Sequence, residues 1–425
     1  MLTRLRFTAG LTAALVALPA VLVLLVPRRL ATGLDRLLPD AALLQSFAVR
    51  PAQAPPELWR ERLGPELAQR LWQRQRGLWW QFWGPHGDAG AYLVLAAPAS
   101  QPLPAHGLRV NDLLVVAPSP LAKQLLEQQL RLQRRLPQGL SERCSRQLLQ
   151  RQAVAWNPAA LGQMLGPLAP LALSLQQGCL LLSADGDALL WQGEADASPG
   201  AVAAAPAPLA VPPSQPLAAP LLLELRGRRL ELVLRGLLSS AVLRDSLASR
   251  YGLGHEQMRR LQTAPFLLQL VAQPSGAYRA GLLLQIQLPG ERTIWQRSLA
   301  DLSRGLESQG LAATEPISGL TLWSREDRSV VGGWRWLAGQ QLQLFLGPSP
   351  SQPAPAARGV QSVPSTPSVQ ATLTSDWQLL LRPDALAAAG LLPEALPVVV
   401  DRARQLQWIG SGQRQSALAG RLELR

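Results

Sequence analysis

The chain is poor in the residue types that build recognisable chemical sites. Only three histidines occur among 425 residues. His86, His106 and His255 each stand alone, none spaced with Cys, Asp or Glu as converging metal ligands must be, so no zinc site is expected. His86 and His106 sit beside glycines in expected turns and read as surface residues. There are only two cysteines, and in a large domain two thiols are more often buried singly as small apolar residues. An oxidising compartment would leave Cys144 and Cys179 the option of pairing. Lys123 is the only lysine, so the excess of 41 basic over 28 acidic side chains is almost wholly arginine. Such an excess attracts anionic lipid, nucleic acid or acidic proteins, although a biased codon supply also produces it.

Nucleophile and phosphate signatures are lacking too. Ser119 and Lys123 lie four residues apart, whereas the familiar Ser-Lys pattern needs three. Ser119 before Pro120 reads instead as a helix N-cap with proline at the first helical position. Gly252-Leu253-Gly254 lacks the third glycine of a dinucleotide fingerprint, and Gly410-Ser411-Gly412 reads as a hairpin turn. Glu326 and Asp327 are adjacent, sit between Arg325 and Arg328, and look like a charged turn. No catalytic, cofactor-binding or metal-binding residue is assigned, and no cofactor is expected.

What the chain does have is an uncharged run from Phe7 to Val26. Twenty apolar residues in a helix span roughly 30 Å, the hydrocarbon thickness of a bilayer. Arg4 and Arg6 precede the run as in a signal peptide, but such cores are shorter and end in small residues, whereas this one ends in Pro27-Arg28-Arg29. An uncleaved anchor is therefore expected, kinked at Pro19. Flanking charge is balanced, with Arg4 and Arg6 facing Arg28, Arg29 and Arg36, so orientation follows the secretory character of the start: a short cytoplasmic tail and an exported body.

Beyond the anchor the chain is long enough for two domains. Residues 197–220 are almost wholly Ala, Pro, Ser, Val, Leu and Gly and read as a linker or a long exposed loop; a second such stretch covers 347–368. The intervening portions rhyme. Trp156 to Leu161 opens a proline-started helix followed by strands 179–183 and 188–194; Leu381 to Leu386 opens another, followed by 405–409 and 416–424. Asp112 to Pro120 and Gln341 to Pro350 both end strands in Pro-Ser-Pro. Upstream, 41–47 before the helix 56–76 parallels 265–270 before the helix 291–309. An internal duplication of about 155 residues follows, running 38–195 and 263–425. Residues 1–30 then form the tail and anchor, and 221–262 form a connecting hairpin, turning at Gly227-Arg228, with helices. Leu63, Leu67 and Leu71, and Trp295, Leu299, Leu302 and Leu306, recur at helical spacing. The fold class is α+β: an N-terminal transmembrane helix, then two similar halves of antiparallel strands with helices on one face.

Two clusters invite a contact role. Trp79, Trp80, Phe82 and Trp83 crowd one strand, where alternation puts Trp79 and Trp83 on one side and Trp80 with Phe82 on the other. One pair left exposed would be a docking or membrane-interface site; the alternative is a strand buried on both sides. Trp323, Trp334 and Trp336 form a looser second cluster. Arg131, Arg134, Arg135, Arg143, Arg146 and Arg151 flank Pro137 and Gly139 on two expected helices. No stacking aromatics lie among them, so nucleic acid is not expected; a solvated face fits best, with anionic lipid or an acidic partner as the functional alternative.

The anchor, Leu38-Pro39-Asp40, the strand and Ser-Pro helix over Leu113 to Leu125, and the Asn-Pro helix at Asn157 are together similar to a family of uncharacterised, membrane-anchored bacterial proteins, known mainly from cyanobacteria and built on a domain of unknown function. The resemblance implies an envelope-facing protein and supplies no functional residue. The expected function is a membrane-anchored, extracytoplasmic, non-catalytic scaffold or binding protein for an envelope component. The alternatives are an exported hydrolase-like enzyme with its site between the two halves, or a cytoplasmic body binding anionic lipid.

Overall fold

Thr32 caps the first helix: its hydroxyl accepts from the Asp35 N–H while the Asp35 carboxylate takes the Thr32 N–H, a reciprocal capping box. In the computed structural model the described residues are 32–85, 90–132, 137–160, 175–196, 205–237, 254–273, 278–347, 375–392, 402–412 and 415–425, with single positions at 245, 249 and 399. The expected span 7–26, His86, Arg134, Arg135 and nearly all of the 347–368 stretch lie outside them. Among the described residues no helix is long and apolar enough to cross a membrane.

The first half runs α1 (Gly33–Leu37), β1 (Leu43–Ala48), α2 (Glu57–Leu63), α3 (Pro65–Arg74), β2 (Leu78–Trp83), β3 (Tyr92–Ala96), β4 (Gly107–Val110), β5 (Leu113–Val116), α4 (Pro120–Leu132), α5 (Leu140–Gln150), β6 (Ala153–Trp156), β7 (Gln177–Asp185) and β8 (Ala188–Asp196). The second runs β9 (Leu221–Gly227), α6 (Glu231–Leu237), α7 (His255–Gln262), β10 (Phe266–Ala272), β11 (Ala280–Gln287), α8 (Arg292–Glu307), β12 (Ala312–Ile317), β13 (Leu320–Ser324), β14 (Val330–Trp336), β15 (Gln341–Leu346), β16 (Trp377–Leu381), α9 (Pro383–Ala388), β17 (Ala403–Ser411) and β18 (Gln415–Leu424). The strands join into one large antiparallel sheet. Its spatial order is β4-β5-β3-β2-β1-β6-β7-β8, then β18-β17-β16-β9-β10-β11-β15-β14-β13-β12. At the seam β8 pairs with β18 over nine residues, from Asp196 opposite Gln415 to Ala188 opposite Glu423.

In this path β9 sits between β10 and β16 as β1 sits between β2 and β6. Residues 221–227 are thus part of the second sheet path and not a connector ahead of it. The expected hairpin at Gly227-Arg228 is also absent, because 231–237 is helical. Leu230, Val233 and Leu234 satisfy helical spacing as well as alternation suggested a strand, and Leu230 is buried beside Phe266 and Trp295.

Helices cover both faces of the first half, which corrects the one-face expectation. Strands β3 and β5 are apolar throughout, so each side needs a cover. Leu34, Leu37, Leu126 and Leu148 from α1, α4 and α5 pack on Trp80, Phe82, Val94 and Val115. Trp59, Leu71 and Trp72 from α2 and α3 pack on Trp79, Leu93, Leu95 and Leu114 from the other side. In the second half Trp295 and Leu299 of α8 cover Phe266, Ile286, Trp334 and Leu342 on one face. The opposite face is mixed, with buried Leu222, Leu267, Phe345 and Leu380 beside a set of polar side chains. Register sets Gln269 opposite Glu224, Gln285 opposite Gln343, Gln343 opposite Arg335, Gln378 opposite Arg226 and Gln407 opposite Arg421.

Residues 205–220, expected as part of a linker or a long exposed loop, are held against that face by polar side chains. Prolines deny the segment a strand ladder, and glutamine side chains bind it instead. Gln405 accepts from the Leu217 N–H and donates to the Gln215 carbonyl, Gln378 donates to the Gln215 side chain at 3.2 Å, and Gln192 donates to the Leu209 carbonyl. Leu217 is buried.

Cys144 and Cys179 form a disulfide, with Cα atoms 5.7 Å apart, rather than staying single. Cys144 follows Leu140 and precedes Leu148 by four residues each, so it shares the buried face of α5 and meets β7 beneath.

Candidate functional site

Aromatic side chains of β2 are consumed by the core. Trp79 stacks on Phe47 at 4.5 Å and meets Trp59 and Trp72 edge-on. Trp80 faces the other way and donates to the Leu148 carbonyl at 2.8 Å. Phe82 stacks on Tyr92 at 4.4 Å, whose hydroxyl donates to the Ala122 carbonyl; burial raises the Tyr92 hydroxyl pKa. Trp79, Trp80 and Phe82 are buried and Trp83 is half-buried, so the exposed docking pair is not formed. The reason is position: β2 lies between β1 and β3 under helices on both faces. Trp323 and Trp334 likewise pack edge-to-face at 4.7 Å, while Arg292 sits over Trp336 at 4.4 Å.

The arginine segment divides. Arg131 is exposed on the last turn of α4, and Arg134 and Arg135 lie outside the described residues. Arg146 and Arg151 are exposed, Arg146 beside Glu142 at 3.7 Å. Arg143 is no surface charge. Its guanidinium makes two hydrogen bonds of 2.7 Å to both oxygens of Glu194, and these bonds raise its pKa further. Glu194 stands opposite Cys179 in the β7–β8 ladder, so ion pair and disulfide together fix α5 to the sheet.

The remaining sequence candidates fill structural roles. The Ser119 hydroxyl accepts from the Ala122 N–H at the start of α4, as an N-cap does. Asn157 donates to the Ala41 carbonyl and accepts from the Ala159 N–H. Asp327 accepts from the Ser329 hydroxyl and N–H, which lowers its pKa. Gly410 lies inside β17 rather than in a turn. His106 occupies a turn with φ 59°, and His255 begins α7. Among the described residues no three His, Cys, Asp or Glu side chains gather as a metal site.

Where the halves meet, the backbone of β8 pairs with β18. An open hollow of about 760 Å³ lies within the second half, lined by Pro220, Leu222, Arg279, Arg382 and the alanines of α9. Arg279 donates to the Gly390 carbonyl there at 3.3 Å.

One exposed surface escapes the sequence reading. Helix α4 buries Ala122, Leu126 and Leu130 yet exposes Leu121, Leu125 and Leu132, at 64%, 41% and 81%. Leucines at both 121/125/132 and 126/130 were the available signal: one helix apolar on two sides. Comparison of the chain with protein-family models, with curated proteins and with solved structures finds no match.

Proposed function

We propose that this chain is a non-catalytic scaffold or binding protein, tethered to a membrane by residues 7–26 and carrying its body on the extracytoplasmic side, where it holds an envelope protein or other envelope component. The Cys144–Cys179 disulfide carries this reading, because such bonds persist in oxidising compartments and are rare where thiols are kept reduced. Four pairs of polar side chains that are buried or half-buried add support for a scaffold. Arg143 bonds Glu194, Gln269 bonds Glu224, Arg226 bonds Gln378 and Arg335 bonds Gln343, so each is engaged within the fold.

A periplasm-active reporter fused after Arg425 is expected to be active. In the same cells, thiol alkylation of the denatured chain is expected to shift its mobility only after reductant. A silent reporter with both cysteines alkylated directly overturns the export. Resistance of the full chain to alkaline carbonate tests the tether, and release into the wash overturns it.

A further inference from the structure

The outward face of α4 is made of Leu121, Gln124, Leu125, Gln128, Arg131 and Leu132, all exposed, with no acidic residue among them. The inward face already has its partner in the sheet, so the outward leucines are a second apolar stripe, three residues long, with no cover from the described chain. A soluble helix normally turns polar residues that way.

Three observations say what covers it. First, the described chain starts beside this helix: Arg36 of α1 donates to the Leu130 carbonyl in the last turn of α4 at 2.8 Å, and the Gly33 N–H donates to Asp112 in the β4–β5 turn at 3.1 Å. Second, only six residue steps separate Val26, the last residue of the apolar run, from Thr32, which is at most about 20 Å of extended chain. A bilayer holding residues 7–26 therefore lies within that reach of α1 and the end of α4. Third, the charge suits an anionic headgroup layer: Arg131 is on the face, and in the sequence Arg134 and Arg135 follow α4 while Arg28 and Arg29 precede α1. A lipid surface also needs no shape complementarity, only leucines and cations on one side of a helix.

We infer that the outward face of α4 rests in the headgroup layer of an anionic membrane, with Leu121, Leu125 and Leu132 dipping into the acyl boundary and Arg131 at the phosphates. This rests on the tether proposed above and adds an orientation: the α4 side of the sheet faces lipid, and the α2 and α3 side faces away. The tether then acts as more than a leash, since it presses one chosen face of the body on the membrane.

The test uses the full chain in phosphatidylcholine vesicles with and without phosphatidylglycerol. The native cysteines are bonded to each other, so an environment-sensitive fluorophore can be placed on a single introduced thiol in Leu125→Cys or Gln128→Cys, with Gln73→Cys on α3 as the distal control. A blue shift and loss of fluorescence to headgroup-depth doxyl lipid at 125 and 128, greater with phosphatidylglycerol, and neither at 73, is the expected result. Equal response at all three positions overturns the surface while carbonate resistance keeps the tether. A blue shift at 125 that doxyl lipid leaves untouched signals cover by a second copy or another protein and overturns it as well. Should carbonate strip the chain, the tether fails, and the quenching measured before the wash still decides the surface.

Discussion

Arg143 and Glu194 illustrate how a residue legible as a surface charge becomes part of the core. Spacing along α5 marks Arg143 as solvated, but nothing local reveals that β8 brings a carboxylate under it from 51 residues away. Their side chains are 21% and 10% exposed, so the pair is shielded without being fully dry. Breaking a buried pair by removing one partner costs about 3–5 kcal/mol, and partial exposure reduces that here to about 2–3 kcal/mol. Arg143→Met is expected to lower the unfolding free energy of the full chain, read from urea melts, by that amount, and adding Glu194→Met to recover part of it. Asp40 is the opposite case. Burial raises its carboxyl above the usual 3.8, and Oδ2 has no hydrogen-bond partner among the described residues. The folded state thus holds the proton more tightly than the unfolded chain, so stability is gained as pH falls through the folded pKa towards 3.8 and the penalty is fully present above that pKa. Asp40→Asn is expected to melt above the parent at pH 7, with the difference closing below pH 3.8, as thermal scans across that range would report.

At the scale of elements, the strands near the seam depend on glycines under tryptophans. Trp156 lies across Gly178, Trp377 across Gly410 and Trp191 across Gly420, each a directly opposed pair in its ladder. A Cβ at Gly410 would stand 2.4 Å from the Trp377 ring, which is itself packed edge-on against Trp408. Inserting atoms into such a contact costs about 1–3 kcal/mol. Gly410→Ala is expected to lower the melting midpoint and alter the tryptophan near-UV signal, whereas Gly186→Ala, in an open turn at φ 57°, is expected to disturb stability without that spectral change. These pairs explain which elements the sequence discloses. Alternation and proline-started helices mark β7, β8, β17, β18 and α9 because each pattern is local. Gly410 reads as a turn because the indole that requires it lies 33 positions earlier on another strand. The strap over 205–220 is misread for the same reason: its prolines are visible, while the glutamines that hold it come from β8, β16 and β17.

For the whole molecule, the decisive contact is made by the last strand. Residues 415–425 insert between β17 and β8, so the C-terminus joins the two sheet paths. Short strings suggest two rhyming halves but carry no information on which edges meet, and the expected match of 41–47 with 265–270 is one strand out, since β9 and not β10 holds the place of β1. Charged or proline-bearing edges are the usual defence against strand pairing, and here β12 has that character, with Glu315 and Pro316 on a fully exposed strand. By contrast β8 and β18 bring buried Ala195, Ala417, Leu418 and Ala419 together, as strands meant to be covered do. Ala419 stands opposite Gln192 on one side and Ile409 on the other, so it is central in the continuous sheet. Proline there removes a ladder donor in a strand paired on both sides, a position from which sheets exclude it. If the seam unites the body, Ala419→Pro is expected to expose β8 and β17 as new edges and to make the strap at 205–220 the first site cut by a nonspecific protease. Fragments breaking near that strap, with the first half of the chain still folded by circular dichroism, are the expected result. Cleavage spread evenly along the chain would show instead that neither path stands without its partner.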